Sequence, residues 1–175
     1  MFEALDNKKY RLKKDMCVIS DKSGVLGLGG IIGGTSTSTE LDTKNILLEA
    51  AYFNPSSIRK TARSLNINTD AKYRFERGID PNSIKEGLEL ATELILKICG
   101  GEASKFQITG KTNQKNKIIN FQVEKFEKLI GISITANEID KILSSLGFKC
   151  KKSQKAIKVE VPSWRPDVSL SLIHI

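Results

Sequence analysis

The sequence holds a single histidine, His174, one position before its last residue, and that scarcity removes whole classes of chemistry. With no internal imidazole there is no Ser-His-Asp triad, no Cys-His pair and no His/Cys zinc set. Any hydrolysis by these residues must use water oriented by backbone, carboxylate, hydroxyl or substrate groups. Cysteine is scarce too. Cys17, Cys99 and Cys150 are odd in number, far apart and without CxxC spacing, so they read as small packing residues of a reducing cytosol rather than a disulfide framework. No apolar run approaches the roughly 20 residues that span a bilayer. The opening residues, Met1 to Asp6, carry an acid at position 3 and no apolar h-region, so they do not read as a signal peptide.

What the sequence does have is the composition of a globular protein: 175 residues, 39% hydrophobic and 27% charged. That length suits one ordinary domain or one and a half small ones. Twenty-eight Lys and Arg against 20 Asp and Glu give a net charge of +8, which favours a polyanionic partner, although an AT-rich genome also fills solvated faces with lysine.

Met16-Cys17-Val18-Ile19 reads as a buried strand, followed by the turn-forming residues Asp21-Lys22-Ser23-Gly24. A glycine-rich stretch from Val25 to Gly34 comes next, then a Ser/Thr loop from Thr35 to Thr39. Ile46 to Phe53 is an apolar run of strand length interrupted by one acid, Glu49. Asn54-Pro55 supplies an N-cap and an N1 proline for a helix with Ile58, Ala62 and Leu65 inward and Arg59, Lys60 and Arg63 outward. Asp80 and Pro81 predict the start of a longer helix, striped by Ile84, Leu88, Ala91, Ile95 and Ile98 and stopped at Gly100-Gly101. Lys111 to Lys117 is the candidate linker. Beyond it, Ile118 to Phe121 reads as a strand and Val123 to Ile130 as a short helix. Thr135 with Glu138 makes a capping-box pattern for another helix, with Ile139, Leu143 and Leu146 inward. Phe148 to Lys151 and Ile157 to Val161 alternate like a hairpin, which gives a winged-helix-like order.

Three constellations bear on function. The glycines fail both the dinucleotide fingerprint, where Ile32 stands at a required glycine, and the phosphate loop, since no Lys-Ser/Thr follows Gly33-Gly34. They read either as a tight turn where backbones pack closely or as a backbone surface that a ligand approaches. Glu49 has two readings, an outward position in water or an acceptor placed to receive a donor such as a hydroxyl. The segment Thr69 to Gly78 interleaves Arg74 and Arg77 with Tyr73 and Phe75. That pattern suits phosphate contact and base stacking, and equally an ordinary surface of Arg–Glu pairs.

Together, Gly30-Ile-Ile-Gly33-Gly34, Leu-Leu-Glu49-Ala-Ala-Tyr-Phe-Asn-Pro, Asn68-Thr-Asp-Ala71 through Tyr73-Arg-Phe-Glu-Arg-Gly78-Ile-Asp-Pro81, and Cys99-Gly-Gly-Glu102 resemble the B3/B4 editing domain of bacterial-type phenylalanyl-tRNA synthetase β. Val161-Pro-Ser-Trp164-Arg-Pro-Asp167 resembles the end of the B5 domain of the same family. The resemblance runs from about Phe2 to Leu170. It implies an α+β fold in which a B3/B4-type domain, with mixed sheets and flanking helices, precedes a partial winged-helix-like B5 domain. The expected spans are 1–112 for the editing domain, truncated at its N-terminus, 113–170 for B5, truncated at its C-terminus, and 171–175 for an artefactual tail.

The family implies a parent that attaches phenylalanine to tRNA(Phe) with ATP and Mg²⁺, as an (αβ)₂ assembly in the cytoplasm with the aminoacylation site in the α subunit. B3/B4 is expected to hydrolyse tRNA mischarged with tyrosine, because a phenylalanine pocket rejects an added hydroxyl poorly. By resemblance, Glu49 recognises the tyrosine hydroxyl, Gly30 and Gly33 line the pocket, and Thr69 and Ala71 shape its wall. Weak RNA contacts fall to Arg74 and Arg77. The family's editing histidine lies upstream of this chain. Asp167 matches the first of a set of acids that bind Mg²⁺, but the acid expected six positions on is replaced by Ile173, so neither Mg²⁺ nor ATP is expected on this stretch alone. A non-enzymatic RNA-binding module and a free-standing editing protein are the alternatives.

Overall fold

The computed structural model describes residues 1–110, 116–153 and 156–168. Most of the expected linker and the whole of the 171–175 tail lie outside the described residues. The chain divides into two compact units. The first is Met1–Ile79 with Ser83–Gln107, and the second is Asp80–Asn82 with the residues from Ile108 onward.

In the first unit β1 (Phe2–Glu3) pairs with β2 (Lys9–Tyr10), and β3 (Val18–Asp21), β4 (Gly24–Leu28) and β5 (Ile32–Gly33) form a second sheet in that order. Ser23 N–H donates to Asp21 Oδ1 at 2.7 Å and closes the predicted hairpin. The strand before it is not buried as expected. β3 is an edge strand, with Val18, Ser20 and Asp21 exposed and Ile19 half-buried.

Helix α1 (Pro55–Leu65) begins as its sequence predicts: Asn54 Oδ1 accepts from the N–H groups of Ser56 and Ser57 at 3.0 and 3.1 Å, with proline at N1. It ends on Asn66 in the left-handed region, φ 53°. Ile58 and Ala62, each 1% exposed, bury into a core with Phe2, Ala4, Tyr10, Leu28, Ile31 and Ile67. Helix α2 (Asp70–Phe75) follows after Thr69, which caps it.

Helix α3 spans Ile84–Cys99, starting later than Asp80-Pro81 predicted. Asp80 Oδ1 accepts from Asn82 N–H at 2.9 Å, a local turn that holds 80–82 out of helical register. The predicted stripe is only half-buried, with Ile98 78% exposed.

The largest departure is the run 46–53, which forms no strand. Hydrophobicity favours burial, but a strand also needs a ladder partner, and no backbone bond joins this run to a strand among the described residues. Leu47 consequently stands 94% exposed and Glu49 is exposed.

In the second unit β6 (Ile118–Phe121), β8 (Ile157–Glu160) and β7 (Lys149–Lys152) form one sheet in the order β6-β8-β7. Helices α4 (Val123–Ile130) and α5 (Ala136–Ser145) lie between β6 and β7 in the chain. Thr135 Oγ1 accepts from Glu138 N–H at 3.2 Å while Glu138 Oε2 accepts from Thr135 N–H at 2.9 Å, completing the predicted capping box. Ile139 and Leu143 join Phe121, Phe148, Ile157, Val159 and Val161 in a second core. Leu146, expected inside, is the C-cap of α5 and is 55% exposed. The class is α+β, with every strand pairing among the described residues antiparallel where mixed sheets were expected.

Candidate functional site

A cleft of about 740 Å³ opens in the first unit between β4, β5, the segment 37–53 and helix α2. Its lining includes the apolar side chains of Leu26, Leu28, Ile31, Ile32, Phe53 and Phe75 and the hydroxyl-bearing Thr37, Ser38, Thr39 and Thr43. Of the expected pocket residues, Gly30, Gly33, Glu49 and Ala71 all line it.

Among the described residues that line it, Glu49 is the only charged side chain. It has no hydrogen-bond or ion-pair partner among the described residues, so its oxygens are open to a ligand donor. Although the residue is exposed, the apolar wall removes enough water to push its pKa above the ordinary glutamate value. The carboxylate is placed by an irregular segment, not by the strand expected from sequence.

The two glycines do different things. Gly30 has φ +67°, a conformation that side chains resist. A Cβ there would meet Phe53 Cδ2 at 2.8 Å, Ile58 Cδ1 at 3.1 Å and Phe75 Cγ at 3.2 Å. The space beside its Cα is therefore filled by the protein's own rings, and Gly30 shapes the cleft by admitting them. Gly33 pairs with Gly27 in the sheet, and a Cβ there would meet only the end of the Leu5 side chain at 3.2 Å.

Thr69 does not line the cleft. Its Oγ1 accepts from Lys72 N–H at 3.1 Å, capping α2, and donates to the Ile31 carbonyl at 2.7 Å. It thereby ties α2, and with it Ala71 and Phe75, to the glycine turn.

Arg77 lies outside the cleft. Its guanidinium sits 3.6 Å from the Tyr73 ring centroid and donates to the Tyr73 carbonyl at 2.8 Å and to Glu76 Oε1 at 3.2 Å. Glu76 also takes Lys72 at 3.1 Å. This is the Arg–Glu surface arrangement, with one face of Tyr73 covered. Arg74 is exposed.

In the second unit Asp167 accepts from Arg165 Nε at 3.0 Å and Nη2 at 3.1 Å, which holds its pKa below the usual carboxylate range. Both oxygens are engaged by one guanidinium, and no group of three or more His, Cys, Asp or Glu is placed to hold a metal among the described residues. The described residues do not fit Mg²⁺. Position 173 lies outside them.

Sequence reasoning missed Phe53 and Phe75 as cleft residues, along with the hydroxyl rim. Phe53 closes the apolar run that carries Glu49, so its chemistry was visible but its partner, Gly29-Gly30, was not.

Residues 1–100 match the family model of the B3/4 domain and residues 119–171 that of the tRNA synthetase B5 domain. The chain belongs to the B3/4 domain family and carries a B5 domain after it. Over 165 residues, 94% of its length, it is 43% identical to the phenylalanine–tRNA ligase beta subunit of Mesorhizobium japonicum. It is 44% identical over the same share to that of Rhodopseudomonas palustris and 39% identical over 170 residues to that of a Wolbachia species. The chain covers 21%, 20% and 22% of these proteins, so it spans about a fifth of the length of the curated relatives it matches. No helix among the described residues is long and apolar enough to cross a membrane.

Proposed function

We propose that this chain is part of a phenylalanine–tRNA ligase β subunit and that its cleft is the recognition half of a proofreading site that releases tyrosine from mischarged tRNA(Phe). The observation that carries the reading is Glu49: a carboxylate that has no partner and is the one charge on a largely apolar cleft, among the described residues. An aromatic ring is accommodated by the apolar wall, and a phenol hydroxyl at its far end finds an acceptor that phenylalanine leaves unused. Selectivity then follows from a hydrogen bond made by one substrate only, the kind of contact that discriminates strongly in a partly desolvated site. In this reading Gly30, Gly33 and Ala71 shape the cavity, and Thr69 holds the turn to α2.

The parent would attach phenylalanine to tRNA(Phe) using ATP and Mg²⁺, in the cytoplasm, as an (αβ)₂ assembly with its α subunit. Hydrolysis itself would need groups beyond those named here, since no side chain of the cleft is an evident general base other than the specificity carboxylate. Arg74 is the better placed of the two arginines for an RNA phosphate, because Arg77 is engaged within its own helix end.

The test is a deacylation assay with the full-length αβ enzyme carrying Glu49→Ala. Tyrosyl-tRNA(Phe) release is expected to fall sharply while phenylalanine attachment persists. Tyrosine release at the unaltered rate would sink the role given to Glu49.

A further inference from the structure

The pair Gly29-Gly30 is a seat for the ring of Phe53. A Cβ on Gly29 would meet Phe53 Cε1 at 2.7 Å, and one on Gly30 would meet Cδ2 of the same ring at 2.8 Å. Opposite ring positions thus rest on two successive glycines, closer than any side chain would permit. Phe75 meets this ring edge-on, with centroids 5.2 Å apart and planes at 71°. Both rings are only partly buried, and both line the cleft that Glu49 lines.

A phenylalanine wedged so tightly is held to one orientation, and its partly exposed ring gives the cleft an aromatic surface against which a further ring can pack offset or edge-on. We propose that Phe53, positioned by Gly29-Gly30 and Phe75, is a specificity-determining residue that selects an aromatic over an aliphatic aminoacyl side chain. Glu49 then separates tyrosine from phenylalanine. Two successive filters act on one substrate: ring contact first, hydroxyl contact second. The inference rests on the proofreading reading for its substrate class, but it assigns a different discrimination to a different residue.

The experiment measures binding of three hydrolysis-resistant probes, 3′-amino-3′-deoxyadenosine acylated through an amide with tyrosine, phenylalanine or leucine. Each is titrated calorimetrically against the full-length αβ enzyme, its aminoacylation site blocked with a non-hydrolysable phenylalanyl-adenylate analogue, with folding of every variant checked by far-UV circular dichroism. Phe53→Leu is expected to weaken the tyrosyl and phenylalanyl probes alike by about two- to tenfold, leaving the leucyl probe unchanged. Glu49→Gln is expected to weaken the tyrosyl probe alone. Phe75→Leu, which removes the edge partner and leaves the glycine seat intact, is expected to cause a smaller loss of the same kind, and it carries the test if Phe53→Leu does not fold.

An aromatic preference that survives both phenylalanine substitutions overturns the inference, as does an equal loss of all three probes in Phe53→Leu. If that preference survives while Glu49→Gln still removes the tyrosine advantage, the inference falls and the proofreading reading stands. The converse pattern keeps the inference and removes the reading. No binding of any probe by the unaltered enzyme counts against both.

Discussion

The hydroxyl of Thr69 donates to the carbonyl of Ile31 at 2.7 Å across 38 positions of sequence. The same oxygen accepts from Lys72 N–H at 3.1 Å. One side chain therefore caps α2 and anchors the turn that carries Gly30 and Gly33. Ile31 is 2% exposed, so its carbonyl has little access to a replacement partner.

Thr69→Val keeps the shape and removes both bonds. Losing an N-cap costs about 1 kcal/mol, and leaving a buried carbonyl unpaired costs about 1–3 kcal/mol more. A combined loss of roughly 2–4 kcal/mol is expected from those two terms, measured as a lower urea midpoint by circular dichroism. An unchanged midpoint would show that the tie carries no weight.

The glycines of the cleft should separate by energy. Gly30→Ala forces a side chain into a left-handed conformation, costing about 1–2 kcal/mol, and drives Cβ onto the Phe53 ring. Gly33→Ala meets only the flexible end of Leu5, itself 52% exposed, and should stay within about 1 kcal/mol of the parent chain. Thermal melts of the two variants side by side decide it.

Glu49 has a folded-state pKa raised above its ordinary 4.5 by loss of water. Its protonated form is the one that folding favours, so that contribution is fully present below 4.5 and is lost as pH rises through the folded value. Glu49→Gln should therefore be at least as stable as the parent at neutral pH. The two stability curves should converge on acidification below 4.5, and a variant less stable at neutral pH would refute the assignment.

Tyr10 Oη donates to Asp6 Oδ2 at 2.6 Å. That bond is the largest cause of a lowered Asp6 pKa and a raised Tyr10 pKa. Its contribution is present above the ordinary aspartate value and is lost as pH falls through the lowered one; at the alkaline end it is lost as pH rises through the raised tyrosine value. In Tyr10→Phe the Asp6 carboxyl, followed by carbon-detected NMR titration, should move back up toward 3.8.

In the second unit, Thr135→Ala removes one arm of the capping box and should cost about 1 kcal/mol. Glu138, whose pKa is lowered first by the Thr135 hydroxyl, should titrate at higher pH in that variant.

Local signals were legible where one short stretch contained all the groups concerned. Asn54-Pro55 starts α1, the Thr135–Glu138 box starts α5, and Asp21 to Gly24 turns the β3–β4 hairpin, because each needs only neighbours in the chain. Reading failed where the partner was distant. The run 46–53 has strand composition, but no ladder partner meets it among the described residues, and composition cannot supply one. Asp80 had the chemistry of a helix cap, yet its carboxylate was satisfied two residues on.

The same division holds for the candidate site. The sequence by itself determined that the one histidine of these 175 residues is His174, that Glu49 is a lone acid in an apolar run, and that glycines cluster between Gly24 and Gly34. Only the tertiary structure decided that Glu49 reaches the cleft from irregular backbone and that Thr69 stands behind the wall as a tie. It also decided that Gly29-Gly30 is a seat for Phe53. Those relationships join residues 20 to 40 positions apart through distances of a few ångströms, and such distances exist only once the chain has folded around them.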